Sequence, residues 1–265
     1  MTEESTLHTD VLARMRLDRR SALVTGAGQG IGRGFALALA QAGASVTVVD
    51  LDNSRAESVA HEIVAAGGKA IAVKADVTDE DAVQNAIDLT IAEFGELTIA
   101  VNNAGINRNA AAEDTTLDDW DLHQRINTRA VFRSCQLEAA SMLQRGYGKI
   151  INTASMSTLL VPHPQKQIAY NVSKAGVVAL TRTLAAEWAD RGVRVNCISP
   201  GIVRTALIEE SDELRPLVSR WLQDIPLGRL AEVSDIQAAV VYLAGGTSDY
   251  MTGHNLVIEG GQSLW

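Results

Sequence analysis

Ala22-Leu23-Val24-Thr25-Gly26-Ala27-Gly28-Gln29-Gly30-Ile31-Gly32 decides the reading of this chain. A short apolar run of strand length stops at Thr25, glycines alternate through the next seven residues, and a helical pattern opens at Ile31. Glycines let backbone turn tightly and approach a pyrophosphate. The free N–H groups and positive dipole of a helix start attract its charge. Taken alone the stretch is equally a glycine-rich turn. Its place between strand and helix makes it a phosphate site, with Gly26, Gln29, Gly30 and Ile31 as candidate ligands.

Outward from that turn, short β-branched runs alternate with long Ala- and Leu-rich segments of helical period. Strands are expected at 22–25, 45–50, 70–74, 98–102, 148–153, 194–199 and 255–258. Helices are expected at 31–41, 54–66, 80–93, 120–145, 169–190 and 233–244. Right-handed crossovers then give an α/β fold, a doubly wound parallel sheet of seven strands with helices on both faces. Residues 18–265 are read as one domain and residues 1–17 as a flexible polar extension. Residues 202–229 interrupt the rhythm with Pro216, Pro226, Trp221 and acidic clusters, where a mobile substrate lid would sit.

The chain has 265 residues, is 46% hydrophobic and carries 23 Lys and Arg against 32 Asp and Glu, a formal charge of −9. That charge disfavours nucleic acid as a partner. No apolar run is long enough to span a bilayer, and the acidic start lacks the apolar core of a signal peptide, so no membrane is expected and the protein is read as cytoplasmic. Cys135 and Cys197 fall in core segments and are read as buried thiols.

Asp50 ends the second strand about 20 residues past the glycines, where a carboxylate accepts hydrogen bonds from an adenosine ribose and repels a 2′-phosphate. Leu51 follows it and no base stands beside it, while Gln29 is neutral. These residues favour NAD over NADP; the alternative for Asp50 is a surface turn residue leading to a helix cap. Tyr170 and Lys174, four apart at the start of a long helix, share a face. An ammonium beside a phenol favours phenolate, so Lys174 is expected to lower the pKa of Tyr170 and make it the proton-transfer group. Ser155 follows the 148–153 strand at the sheet edge where ligands collect, placed to hold a substrate oxygen. Singly, Tyr170 and Lys174 are ordinary helix residues; together with Ser155 they point to hydride transfer between a nicotinamide and an alcohol or ketone.

The series Gly26/Gly30/Gly32, Asp76-Val77, Asn102-Asn103-Ala104-Gly105, Asn127, Ser155, Tyr170-x-x-x-Lys174 and Pro200-Gly201 with Thr205 closely resembles the short-chain dehydrogenase/reductase family, from Ser21 to Gly261. The resemblance implies a Rossmann-type fold. It also implies that Asp76 and Val77 flank the adenine, that Asn103, Ala104 and Gly105 wall the cofactor, and that Pro200, Gly201, Ile202, Val203 and Thr205 meet the nicotinamide end. By the same resemblance Lys174 binds the ribose and Asn127 links Lys174 to solvent through a water; Asn127 is otherwise a helix-kink or polar core residue.

Met156, Ser157 and the stretch Pro162-His163-Pro164-Gln165-Lys166-Gln167 flank this centre. Asn107, Ser157, His163, Gln165 and Gln167 supply hydroxyl-matching donors and acceptors, which fit a polyhydroxylated substrate better than a steroid or acyl chain. His163 is equally readable as a loop residue facing water. Within the family, Ser155-Met156-Ser157, the Pro-Gln pair before the tyrosine, residues 184–189 and Trp265 resemble sugar-alcohol dehydrogenases, those of galactitol among them. His8, His61, His123 and His254 are scattered and read as structural. No metal-ligand cluster is present, and no metal is assigned. The helices at 120–145 and 169–190 and residues 260–265 resemble family assembly surfaces, making a homotetramer the expectation, with core packing as the other reading. Two rivals remain: an NADPH-dependent 3-oxoacyl reductase, which Asp50 speaks against, and a non-catalytic NAD-binding regulator, which the complete set Asn127, Ser155, Tyr170 and Lys174 speaks against.

Overall fold

Seven parallel strands form one sheet in the order β3-β2-β1-β4-β5-β6-β7 in a computed structural model that describes residues 10–264. In chain order the elements are α1 (Val11–Met15), β1 (Ser21–Thr25), α2 (Gly30–Gln41), β2 (Ser45–Asp50), α3 (Asn53–Ala65), β3 (Lys69–Lys74), α4 (Glu80–Phe94) and β4 (Ile99–Asn102). They continue with α5 (Leu117–His123), α6 (Ala130–Arg145), β5 (Gly148–Thr153), α7 (Ile168–Trp188), β6 (Val193–Pro200), α8 (Ala206–Glu209), α9 (Val218–Asp224), α10 (Val233–Ala244) and β7 (Asn255–Ile258). The order reverses between β1 and β4, and the crevice at their carboxyl ends is where a doubly wound sheet takes its ligand.

Both sheet faces are covered, so the central strands read as unbroken apolar runs. Leu23 and Ala100 pack with Ile87, Met142, Ile150 and Val177 on one face. Their neighbours Val24 and Val101 pack with Phe35, Leu39, Ile236 and Val240 on the other. The two cysteines are free and buried, one in α6 and one in β6. Helix starts are set by side chains: Asp52 caps α3 and Asp79 caps α4, each accepting two backbone N–H bonds.

Two features depart from the sequence reading. Of the extension 1–17, residues 1–9, His8 among them, lie outside the described residues, as does Trp265. Residues 11–15 form α1 capped by Asp10, Arg14 donates to the Gly246 carbonyl, and Leu17 is buried in the core, so residues 10–17 pack on the domain. The expected helix 120–145 is three pieces, with a π-helical segment Gln124–Arg129 between α5 and α6. A π segment inserts one residue into the turn and frequently marks a functional site.

Candidate active site

The glycine turn opens a cleft of about 940 Å³ at the strand crevice. Gly26 and Gly30 hold φ of +60° and +55°, and a Cβ on Gly32 would collide with the Gly26 carbonyl oxygen. Only glycine fits there. No side chain caps α2, whose first-turn N–H groups remain for a ligand. A wall without Cβ atoms beside an uncapped helix start fits the pyrophosphate of a dinucleotide. Asn103 fixes the far wall, its Nδ2 donating to the carbonyl oxygens of Thr25 and Gly26 at 3.2 Å each.

The cleft wall includes Gly26, Gln29, Gly30, Ile31, Asp50, Leu51, Asp76, Val77, Asn103, Ala104, Gly105 and Thr205, so twelve of the expected cofactor positions share one surface. The Asp50 carboxylate accepts the N–H of Gly28 at 2.8 Å and that of Asp52 at 3.0 Å. Pro200, Gly201 and Val203 are outside this wall. Pro200 ends β6, Gly201 lies against Glu259, and Val203 is buried in the core beside the Ala231 bridge. The wall also contains residues that the sequence reading passed over: Arg55, Lys74, Ile126, Ala206 and Leu207. Arg55 comes five residues after Asp50, on the first turn of the helix that follows.

Beside the cleft, α7 carries Tyr170 and Lys174 one turn apart, and β5 delivers Ser155 to the same edge. Lys174 is buried; its Nζ donates to the Thr153 carbonyl at 2.7 Å and stands 5.8 Å from the Tyr170 ring centroid. Burial lowers its pKa to about 8. Burial also pushes the Tyr170 phenol up, with the Ser155 hydroxyl acting the other way. The expected lowering of Tyr170 by Lys174 is therefore not what this geometry produces: the ammonium is turned to a carbonyl and desolvation dominates.

Asn127 lies in the π segment, fully buried. Its Oδ1 accepts the Ile106 N–H at 2.9 Å, and its Nδ2 donates to the Ile106 carbonyl at 2.9 Å and to Ser173 Oγ at 3.0 Å. One amide thus joins the loop after β4 to the helix of Tyr170 and Lys174. His123, one turn earlier, is structural: Nδ1 meets the Asp119 carbonyl at 2.7 Å and Nε2 accepts the Arg108 N–H at 3.1 Å.

The expected substrate residues are mostly engaged already. Gln165 Oε1 accepts the indole N–H of Trp221 at 2.9 Å, and His163 Nε2 stands 3.2 Å from Asp224 Oδ2, so both reach α9. His163 is half exposed, and the Asp224 Oδ2 that it approaches is buried without a hydrogen-bond partner. Asn107 donates to Gln167 at 3.1 Å. Ser157 differs: its Oγ is buried without a partner, two residues from Ser155. Trp221 itself packs with Met156, Ile202, Ile208, Ile225 and Leu230, a small core that holds the 202–229 segment against the residue that follows Ser155.

A family model described as enoyl-(acyl carrier protein) reductase matches residues 26–263. A D-threitol dehydrogenase of Mycolicibacterium smegmatis is 40% identical, with all of both chains covered. A galactitol 2-dehydrogenase (L-tagatose-forming) of Cereibacter sphaeroides is 39% identical over 94% of this chain and 97% of its own. The crystal structure of a short-chain type dehydrogenase/reductase from Mycobacterium marinum superposes with a TM-score of 0.92 at 40% identity, covering 96% of this chain and 99% of that one. With the strand order, the glycine cleft and the Ser155, Tyr170 and Lys174 group in one place, these likenesses show that the chain belongs to the short-chain dehydrogenase/reductase family.

Proposed function

We propose that this protein is an NAD-dependent dehydrogenase that interconverts a polyol, or a related secondary alcohol, and its ketone. The observation that carries this reading is the placement of Tyr170 and Lys174 on one turn of α7, beside Ser155 and a cleft shaped for a dinucleotide. The polyol substrates in the names of the two relatives support the substrate class, as does the partnerless hydroxyl of Ser157 beside the centre.

The nicotinamide, when bound, supplies the hydride acceptor. Ser155 Oγ holds the substrate oxygen, and Tyr170 Oη exchanges the proton on it. A phenol pushed up by burial is a proton donor at rest, which suits reduction of the ketone; oxidation needs positive charge brought close, and Lys174 is the nearby group that supplies it. Asn127 holds α7 against the loop after β4 and keeps Lys174 in register. Asp50 at the adenosine end favours NAD and stands against the NADPH-dependent 3-oxoacyl reductase reading.

A homotetramer in the cytoplasm belongs to the same reading. Phe132, Ile168 and Val172 expose apolar surface on α6 and α7, and Leu264 does so beside the last strand. Both cysteines are free, as a reducing compartment keeps them. Among the described residues no helix is long and apolar enough to cross a membrane.

Screening threitol, galactitol, other sugar alcohols, simple diols and hydroxy acids with NAD, and following NADH, tests the proposal. Turnover of sugar alcohols is expected; reaction only of acyl thioesters with NADPH would overturn it. Tyr170→Phe is expected to abolish turnover while NADH still binds, and near-normal activity in that variant would remove Tyr170 from the mechanism.

A further inference from the structure

Residues 202–229 leave and rejoin the domain at one place. The Ala231 N–H donates to the Ile202 carbonyl at 3.0 Å, the Arg204 N–H donates to the Ala231 carbonyl at 2.7 Å, and Arg204 Nε donates to Glu232 at 2.9 Å. The two ends are thus fixed to each other, and side chains hold the stretch between them in place. Thr205, Ala206 and Leu207 line the dinucleotide cleft, while Trp221 packs on Met156, the residue after Ser155. A movement of this stretch therefore alters the cofactor cleft and the surroundings of Ser155 together.

Its polar contacts with the loops before α5 and α7 are of two kinds. Asn109 donates to Glu213 at 3.2 Å and Trp221 donates to Gln165 at 2.9 Å, and neither bond needs a proton to be taken up. The contact of His163 with Asp224 does. Asp224 ends α9 with its side chain 20% exposed; its Oδ1 lies 3.5 Å from Arg220 Nη2 one turn back, whereas Oδ2 is buried without a hydrogen bond. His163 Nε2 stands 3.2 Å from that bare oxygen. A buried acceptor without a partner is unfavourable, and a protonated imidazole is a charge-assisted donor for it. Histidine is the side chain that changes charge between pH 5 and 8. The other charges on these elements are Arg220, already beside Oδ1, and Lys166 and Glu113, which stand 4.0 Å from each other on the two loops. Uptake of the proton is therefore decided between His163 and Asp224.

We propose that His163 and Asp224 form a proton-operated latch on the 202–229 segment: the imidazolium binds Asp224 Oδ2 and holds the segment against the loop before α7, and the neutral imidazole lets it go. In mild acid the segment stays fastened and exchange at the cleft is slow; toward pH 8 it opens more often. This rests on the reading of residues 202–229 as the segment through which substrate is admitted, and not on which alcohol that substrate is.

Hydrogen exchange of the full chain tests it without turnover. Peptides from residues 205–224 are followed by mass spectrometry at pH 5.5 and pH 8.0, each rate being divided by that of the unstructured peptide at the same pH. Peptides from β1 and β4 serve as the reference, because the buried Glu138 of α6 makes overall stability depend on pH. Relative to that reference, the segment of the wild type should be about threefold better protected at pH 5.5, the size expected of a half-exposed charge pair. His163→Ala should show the weaker protection at both pH values, and His163→Lys, which keeps its charge, the stronger protection at both. No excess protection of the wild-type segment at pH 5.5, or the same response to pH in His163→Ala or in His163→Lys, would overturn the latch. The expected response in a protein that oxidises no polyol would sustain the latch and overturn the substrate reading alone.

Discussion

Glu138 shows how far one residue can sit from its sequence appearance. Between Leu137 and Ala139 on a long helix it reads as a solvated charge, yet it is fully buried in α6 against the sheet. Asn102 Nδ2 donates to its Oε2 at 3.0 Å, while Oε1 has no partner. Burial pushes its pKa up to about 7 from an ordinary value of 4.5. The folded protein therefore holds this proton more tightly than the unfolded chain does. Stability from the site is complete below about pH 4.5 and is lost as pH rises to about 7, by about 3 kcal/mol in all. Glu138→Gln should flatten that part of the profile and raise stability at pH 8 relative to wild type, measured as urea midpoints at pH 5 and pH 8; an unchanged pH dependence would show that the carboxylate is not buried as a free acid. Asn102 is the other end of this contact. It also joins Cys135 and Asn152, and it is absent from the wall of the dinucleotide cleft.

At the scale of elements, the strands were readable because each is a short apolar run bounded by turn residues, and Ser45–Asp50, Gly148–Thr153 and Asn255–Ile258 begin and end where expected. The π segment was not readable. One inserted residue in a helix shifts the hydrophobic face too little to separate from ordinary irregularity over six residues. Its consequence is local and large, because it is the stretch that turns Asn127 into the core. Asn127→Ala would leave the Ile106 N–H and carbonyl without partners, at a cost of about 2–4 kcal/mol for the two groups. The expected results are a lowered melting temperature and a turnover number that falls more than the KM rises, since Lys174 loses its register. A variant as stable as wild type would show that water replaces the amide fully. The partners of Gln165 and His163 were equally hidden: Trp221 and Asp224 are more than fifty residues away in sequence, and no local pattern joins them.

For the whole molecule, the alternation of strand and helix patterns along the chain foretold a single α/β body, and the unbroken core on each face of one sheet agrees. The proposed homotetramer would cover the exposed apolar residues of α6 and α7. Size-exclusion chromatography with light scattering should return four times the 28.3 kDa chain mass, and Phe132→Glu should lower it by placing charge in the contact. A monomeric wild type would assign that surface to other use.

The polar ties between the fixed loops and the 202–229 segment have a consequence for admission to the centre. Gln165 Oε1 already accepts from Trp221 and Asn109 Nδ2 donates to Glu213 at 3.2 Å, whereas Asp224 Oδ2 beside His163 and Asn109 Oδ1 have no hydrogen-bond partner. On the proposed polyol reading, entry is an exchange: a guest that brings hydroxyls can replace the bond that it breaks and meet the free acceptors, whereas an apolar alcohol of equal size leaves donors and acceptors bare. Selectivity of that kind appears in how often the segment opens productively as much as in how tightly the guest is held, and it makes the number of hydroxyl groups on a substrate count for more than its bulk.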